Sequence, residues 1–365
     1  MKKIPIVDLH AQYKTIKKEI DKAIFSVLKD NSFIGTSNNS HVKQFENEFS
    51  KYLGVNHCIG CANGTDAIEI ALQALGVKKG DEVIVPALSW ISTSEAVGNI
   101  GATPIFVDIN KDYFTIDVSK IEQKITPRTK AIIVVHLYGL PVEMDEVMKI
   151  AKKHKLFVLE DCAQAHGAEY KDKKIGTFGD IATFSFFPSK NLGAYGDAGG
   201  IITNKEEIAS VCRLIANHGQ IKKNEHEREG RNSRLDGMQA VVLSVKLKYL
   251  DKWNSLRQAN ASKYNSLLKN KNVLTPTCPQ QSKHVYHIYA IRSENRLQLH
   301  NKLQEMGVET SVHYPVPLPL LKPYKKFNYT AKDFPNACEV TSKILSLPMY
   351  PELNEEQIKY IVSLI

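Results

Sequence analysis

The stretch Leu156-Phe157-Val158-Leu159-Glu160-Asp161-Cys162-Ala163-Gln164 decides the reading of the fold. Its first four residues are apolar without alternation, the pattern of a strand covered on both faces. It ends on two acids and a small-residue turn. Upstream, the same short apolar runs recur at Glu82-Val83-Ile84-Val85, Pro104-Ile105-Phe106-Val107 and Ala131-Ile132-Ile133-Val134-Val135. Downstream lies Ile181-Ala182-Thr183-Phe184-Ser185-Phe186. Helical segments separate them. Thr65 to Leu75 sets Ile68, Leu72 and Leu75 at helical spacing, and Asp145 to His154 does so with Val147, Ile150 and Ala151. Strand–helix alternation of this kind predicts an α/β fold with a mostly parallel sheet flanked by helices.

The chain has 365 residues, which at roughly 100–200 residues per domain suggests two domains. Residues 1–245 are read as a large domain, on whose partner the N-terminal residues can pack, and 246–365 as a smaller C-terminal domain. The charged segment 220–235 has no apolar period and reads as an exposed loop. Leu235 to Leu268 shows long helical periodicity and links the two parts. The tail from His313 onward is rich in Pro and Tyr, a loop carrying binding groups followed by short helices.

Apolar residues make up 43% and charged residues 24% of the chain, as in an ordinary globular protein. The formal charge of +9 fits a Lys-rich solvated surface or a field that attracts a small anion. The lysines are spread out and no nucleic-acid module is present, so a nucleic-acid partner is not expected. Pro5 and Asp8 interrupt the opening apolar residues before a signal sequence forms. No stretch approaches the roughly 20 apolar residues of a membrane span, and a cytoplasmic protein is expected. The six cysteines then read as reduced thiols. Cys58 and Cys61 lack the second pair a zinc site needs, and His284 and His287 lack a matching acid; both pairs read as structural, with no metal site expected.

Three pieces carry chemistry. Asp161 stands at the carboxyl end of a buried strand, the edge where open α/β sheets bind ligands; a turn or helix-capping role is the plainer alternative. Lys190 follows the strand that breaks at Pro188, between aromatic residues and a run of glycines (Gly193, Gly196, Gly199, Gly200) that allows tight turns. A loop lysine is usually a surface residue, but apolar surroundings lower its pKa and make it nucleophilic. Asn63-Gly64-Thr65-Asp66 opens a helix after a short strand, where free N–H groups bind phosphate, or where Thr65 is simply a cap. An imine-forming lysine, an acid for a pyridine nitrogen and a phosphate cradle together are what pyridoxal 5′-phosphate (PLP) requires.

With Glu160-Asp161-Cys162-Ala163-Gln164-Ala165-His166-Gly167, Phe184-Ser185-Phe186…Lys190-Asn191 and Asn232-Ser233-Arg234-Leu235-Asp236, the chain resembles the DegT/DnrJ/EryC1/StrS family of nucleotide-sugar aminotransferases. The likeness runs from Ile6-Val7-Asp8-Leu9 to Leu347-Pro348-Met349-Tyr350-Pro351. It implies a fold-type I PLP-dependent transferase with a smaller C-terminal α+β domain. It also implies roles: Lys190 as the Schiff-base and proton-shuttling lysine, Asp161 at the ring nitrogen, Gln164 at the ring's 3-hydroxyl and Trp90 on the ring face. Gly64, Thr65 and Ser185 would bind the phosphate, and Asn232 would reach the neighbouring subunit's phosphate in a homodimer with shared sites. Tyr195, His313 and Tyr314 match positions that hold the nucleotide-sugar in relatives, although a Tyr beside glycine turns is often only packing.

The implied reaction is ping-pong. L-Glutamate gives its amine to the cofactor, and a keto-sugar on dTDP or UDP takes it, for amino sugars of surface glycans such as lipopolysaccharide O-antigen. Gln164 and His313-Tyr314-Pro315 favour a 3-keto-6-deoxy sugar over a 4-keto sugar. Lys190 argues against the family branch that dehydrates sugars and carries His there. A non-catalytic regulatory protein on the same fold would be marked by loss of the Lys or the Asp, and both are present. The glycine pattern needed for a nicotinamide cofactor is missing.

Overall fold

The computed structural model describes residues 3–35 and 39–365. Helices α1 (Leu9–Asp30) and α2 (Ser40–Leu53) lead into β1 (His57–Cys61), α3 (Gly64–Ala74), β2 (Glu82–Pro86), α4 (Ser92–Asn99) and β3 (Thr103–Val107). There follow β4 (Thr129–Val135), α5 (Met144–His154), β5 (Phe157–Asp161), the short β6 (Glu169–Tyr170) and β7 (Lys173–Lys174), β8 (Ile181–Ser185), β9 (Gly199–Thr203) and α6 (Glu206–Ala216). Beyond lie β10 (Gln220–Lys222), β11 (Glu225–His226), α7 (Gly237–Leu247), α8 (Leu250–Leu268), β12 (Ser282–Lys283) and β13 (Tyr289–Arg292). The chain continues through α9 (Arg296–Glu305), α10 (Pro335–Lys343), β14 (Ile344–Leu347) and α11 (Glu355–Ser363).

Seven strands form one sheet in the order β1-β9-β8-β5-β4-β2-β3. All five runs read from the sequence are in it. Six strands are parallel, and β9 runs antiparallel between β1 and β8. That strand corrects the reading of Gly199 and Gly200 as turn residues. Both are paired across the sheet, and their missing side chains permit close approach instead. A Cβ on Gly199 would stand 2.3 Å from the Asn63 carbonyl oxygen, and one on Gly200 would stand 3.0 Å from the Phe186 ring.

Apolar side chains fill both faces of the sheet. Ile68 and Leu72 of α3, Val97 of α4 and Ile215 of α6 pack on one face. Phe45 and Phe49 of α2, Val147 of α5 and Leu243 of α7 pack on the other. A separate core joins Ile4 to Tyr264, Tyr289, Leu345 and Ile358, around the antiparallel pair β13–β14. The single long helix read over 235–268 is two helices. Helix α7 is buried over most of its circumference, whereas α8 buries one stripe, and the chain changes course between them at Lys248-Tyr249.

Strand β1 is a sheet edge, and its outer backbone groups are covered. The Gly60 N–H donates to Glu46 Oε1 (2.7 Å), Arg213 donates to the Cys58 carbonyl (2.9 Å), and Arg213 grips both Glu46 oxygens at 3.1 and 2.9 Å. An edge closed in this way cannot add a further strand. The segment 220–235, expected to be an exposed loop, is exposed over 221–230, where 220–226 forms a hairpin turning at Asn224 with φ +67°, but its end is not, since Ser233 and Leu235 are buried. Its base is fixed to α6 by the Arg231 and Ser233 N–H groups, which donate to Ile215 and Ala216 carbonyls at 2.7 and 2.9 Å.

Candidate active site

Strands β1, β2, β4, β5 and β8 all end at one edge of the sheet, and the loops that follow them supply the site. Asp161 is the last residue of β5 and is buried. Its Oδ1 accepts from the Ala163 N–H (3.1 Å) and its Oδ2 from the Thr93 hydroxyl (3.0 Å), which also meets Ser89 Oγ at 2.8 Å. Burial raises the Asp161 pKa, while those two donors and the charge of Lys190 work against the rise. Thr93 is a residue that sequence reading missed. It sits in α4, and only the register of β2 beside β4 and β5 brings it to the carboxylate.

Lys190 lies in the loop after β8, where its N–H donates to the Phe187 carbonyl at 2.9 Å. It keeps partial solvent access. Even so, the surrounding protein pushes its ammonium down to about 8, and Asp161 opposes the shift. The two groups therefore feel each other across the site. A lysine in this range is partly a free amine near neutral pH, the form that attacks a carbonyl.

Gln164 is held at both ends of its amide. Its Oε1 accepts from the Tyr138 N–H at 2.7 Å, and its Nε2 donates to the Tyr314 hydroxyl at 3.0 Å. Tyr138 holds a left-handed backbone (φ +58°) in the loop after β4, a conformation that costs energy in a non-glycine residue. It aims the N–H at Gln164, and its hydroxyl donates to the His313 carbonyl. Trp90 is 57% exposed, with its ring 5.5 Å from that of Tyr314. An indole left this open has a free face for a flat ring.

Helix α3 begins at Gly64. Its cap is Asn63, whose side chain accepts from the Asp66 N–H at 2.8 Å, so the alternative of a Thr65 cap is set aside. Among the described residues, the Gly64 and Thr65 N–H groups find no acceptor. Thr65 Oγ1 meets Ser92 Oγ at 2.7 Å. A Cβ on Gly64 would stand 2.7 Å from that of Ser185, so the helix start and the end of β8 are in contact. Two free N–H groups at a helix start, beside two hydroxyls, form a phosphate cradle. With Lys190, Asp161 and the open Trp90 face, these donors fit PLP.

The other expected residues are placed differently. Asn232 is exposed. Its neighbours are pinned, Ser233 Oγ accepting from the Ala62 N–H at 3.2 Å and Arg231 pairing with Glu69 of α3. Tyr195 is held by Lys246, whose Nζ lies 4.1 Å above its ring, by Gln239 and by the edge of Tyr13. None of these is among the groups around Lys190, and packing accounts for those contacts. His313 and Tyr314 part company: Tyr314 meets Gln164 and Trp90, whereas His313 Nδ1 pairs with Ser346 Oγ at 2.8 Å. Burial and Lys190 bring His313 down to about 4.

His287, read as structural from its spacing, stands within the influence of Lys190; burial first, then the charges of Lys190 and Arg257, hold it neutral. His284 does play a structural part, accepting from the Tyr286 N–H at 2.9 Å. Cys58 and Cys61 are buried free thiols. Buried His136, Glu160 and Cys162 stand close enough to share a metal ion, but Glu160 is already saturated. It accepts from the Gly176, Phe178 and Gly179 N–H groups at 2.7 Å each and meets His136 at 3.1 Å. That arrangement is a latch on the loop before β8.

Comparison with known proteins agrees with this geometry. Over 98% of its length the chain is 45% identical to a pleiotropic regulatory protein of Geobacillus stearothermophilus, covering 96% of it. It is 43% identical to UDP-N-acetyl-3-dehydro-alpha-D-glucosamine 3-aminotransferase of Acidithiobacillus ferrooxidans, across 99% of this chain and 97% of that one. Among solved structures, DesV of S. venezuelae in complex with a ketimine intermediate superposes with a TM-score of 0.96 at 39% identity, covering all of this chain and 98% of that one. The DegT/DnrJ/EryC1/StrS aminotransferase family matches residues 14–365. The chain belongs to that family, and it is an aminotransferase whose cofactor is pyridoxal phosphate.

Proposed function

We propose that this aminotransferase moves an amino group from L-glutamate to a keto-sugar carried on dTDP or UDP, with the 3-keto position of a 6-deoxy sugar as acceptor and amino sugars of surface glycans as the destination. The observation that carries the reading is the pairing of Lys190 and Asp161 at one sheet edge. There burial lowers the lysine and raises the acid, and each charge acts on the other. Environments that push two titratable groups in opposite directions mark acid–base chemistry.

PLP supplies an electron-accepting ring that stabilises negative charge on the carbon next to the amine. The chain's own residues do the rest. Lys190 Nζ would hold the cofactor covalently and, once the incoming donor amine has displaced it, the freed amine would take the proton from the donor's α-carbon and serve as the proton shuttle. Asp161, fixed by Thr93 and Ala163, keeps the ring nitrogen protonated. Gly64, Thr65 and Ser185 hold the phosphate, with Asn232 of a second copy completing it in a homodimer. Gln164 would meet the ring's 3-hydroxyl side, and Trp90 would stack on the ring face. Tyr314 faces the sugar. Tyr195 and His313 are the further substrate residues that the family resemblance implies.

Gln164 and the A. ferrooxidans relative, named for a 3-aminotransferase, support C3 over C4. The G. stearothermophilus relative is named as a regulator, but this chain keeps both Lys190 and Asp161, which a purely regulatory fold does not need. The test is to convert the enzyme to its pyridoxamine form and add dTDP- and UDP-linked 3-keto and 4-keto sugars one at a time. A 3-keto sugar is expected to restore the PLP spectrum fastest. Restoration by 4-keto sugars alone rejects the C3 assignment, and restoration by none rejects the sugar acceptor.

A further inference from the structure

A cavity of about 140 Å³ lies between the Lys190 loop and the β13–β14 pair. Ser189, His287, Ser311, His313 and Ser346 supply its polar lining, with Ile6 and Met349 among the apolar walls. The space admits a carboxylate and a few methylenes.

The Ser311 hydroxyl has no partner among the described residues, whereas Ser346 is fully buried and its hydroxyl meets His313 Nδ1 at 2.8 Å, which leaves His313 Nε2 to carry the ring proton. Asn191 spends its Nδ2 on Asn254 and Val285, at 2.8 and 3.0 Å, so its Oδ1 accepts from His287 Nδ1 at 3.2 Å. The neutral His287 ring therefore carries its proton on Nδ1, and its Nε2 is an acceptor that offers a carboxylate no hydrogen bond.

Behind this wall sits Arg257, which is 3% exposed. Its Nη1 donates only to carbonyls, those of Tyr286, His287 and Met349, at 3.1, 3.4 and 2.8 Å, and its Nε has no partner. Two of those carbonyls belong to cavity residues. Glu352 is the acid whose charge reaches it, yet among the described residues no carboxylate lies within ion-pair distance of the guanidinium. A buried cation without a counter-charge is costly, and an anion placed beside it recovers part of that cost.

We infer that this cavity is the subsite for a carboxylate of the amino-acid donor, held by the Ser311 hydroxyl and by His313 Nε2–H, with the buried Ser346 hydroxyl fixing the other ring nitrogen of His313 and Arg257 as the buried charge behind them. The inference rests on the aminotransferase reading and assigns the donor's place within it. It divides the His313-Tyr314 pair, giving Tyr314 to the cofactor and acceptor side and His313 to the donor.

Ser346→Val removes the hydroxyl that fixes His313, and Ser311→Ala removes the hydroxyl that faces the cavity. Binding of glutarate to the PLP-loaded enzyme is measured by calorimetry, and the two half-reactions are followed separately by absorbance. Losing one hydrogen bond to a charged group is expected to weaken glutarate binding about tenfold and to raise the half-saturating L-glutamate concentration equally. The half-saturating keto-sugar concentration should stay within about twofold, below what the loss of one such bond produces. Unchanged glutarate binding in both variants overturns the subsite, as does a loss confined to the sugar half-reaction or to binding of UDP or dTDP. If the unaltered enzyme takes no amine from L-glutamate, the donor reading fails by itself, while glutarate binding still decides whether the cavity takes a carboxylate.

Discussion

Lys190 is one of many lysines in the chain, and its immediate sequence says only that it follows a strand and precedes glycines. Asp161 was legible for the same limited reason: it ends a buried apolar run, and that edge is where α/β sheets bind ligands. What the sequence could not show is the packing that tunes them. Thr93 and His287 reach the site through tertiary register, and nothing in their own spacing marks them. The tuning itself is testable. With Lys190 lowered to about 8 by burial, the rate at which cofactor-free protein captures PLP should rise about tenfold per pH unit up to pH 8 and then level off, because the free amine is the reacting form. A rate still climbing at pH 10 would mean an ordinary lysine, near 10.4.

At the scale of elements, the strand ends position everything, and the loops between them are held by buried polar latches. The strongest is Glu160, next to Asp161 but bonded to His136 and to three N–H groups of the loop before β8. Those bonds outweigh its burial and lower its pKa. A carboxylate lowered on folding adds stability above its ordinary pKa of about 4.3, and that stability is lost as pH falls below this value through the native one. Glu160→Ala leaves three N–H groups, that of Gly176 fully buried, and the buried His136 without their acceptor, and is expected to cost about 3–5 kcal/mol in denaturant unfolding at pH 7. The difference from the unaltered protein should shrink below pH 4; an equal difference at pH 3 and pH 7 would contradict the latch. The elements themselves were mostly legible, because unbroken β-branched runs have few other uses. The exceptions have physical causes. Strand β9 hides behind glycines chosen for close approach, and the 220–226 hairpin has no buried face to give it an apolar period.

Across the whole molecule, four strand ends deliver Asp161, Gln164, Lys190, Trp90 and the Gly64-Thr65 helix start to one edge, while β13–β14 and the His313-Tyr314 segment close the site from the C-terminal part. Among the described residues, no helix is long and apolar enough to cross a membrane. Asn232, exposed on its own chain but rigidly based, is the one expected cofactor contact that needs a second copy. Mixing Asn232→Ala and Lys190→Ala chains should give hybrid dimers with one intact site, recovering up to about a quarter of the activity of the unaltered enzyme when random assembly pairs half the chains. No recovery in verified hybrids contradicts the shared site. The arrangement as a whole turns on where the cofactor is anchored, and that can be read directly. The PLP-loaded protein is reduced with borohydride, digested and mapped by mass spectrometry. The account predicts a pyridoxyl group on Lys190; its presence on another lysine, or its absence from a fully loaded protein, contradicts it.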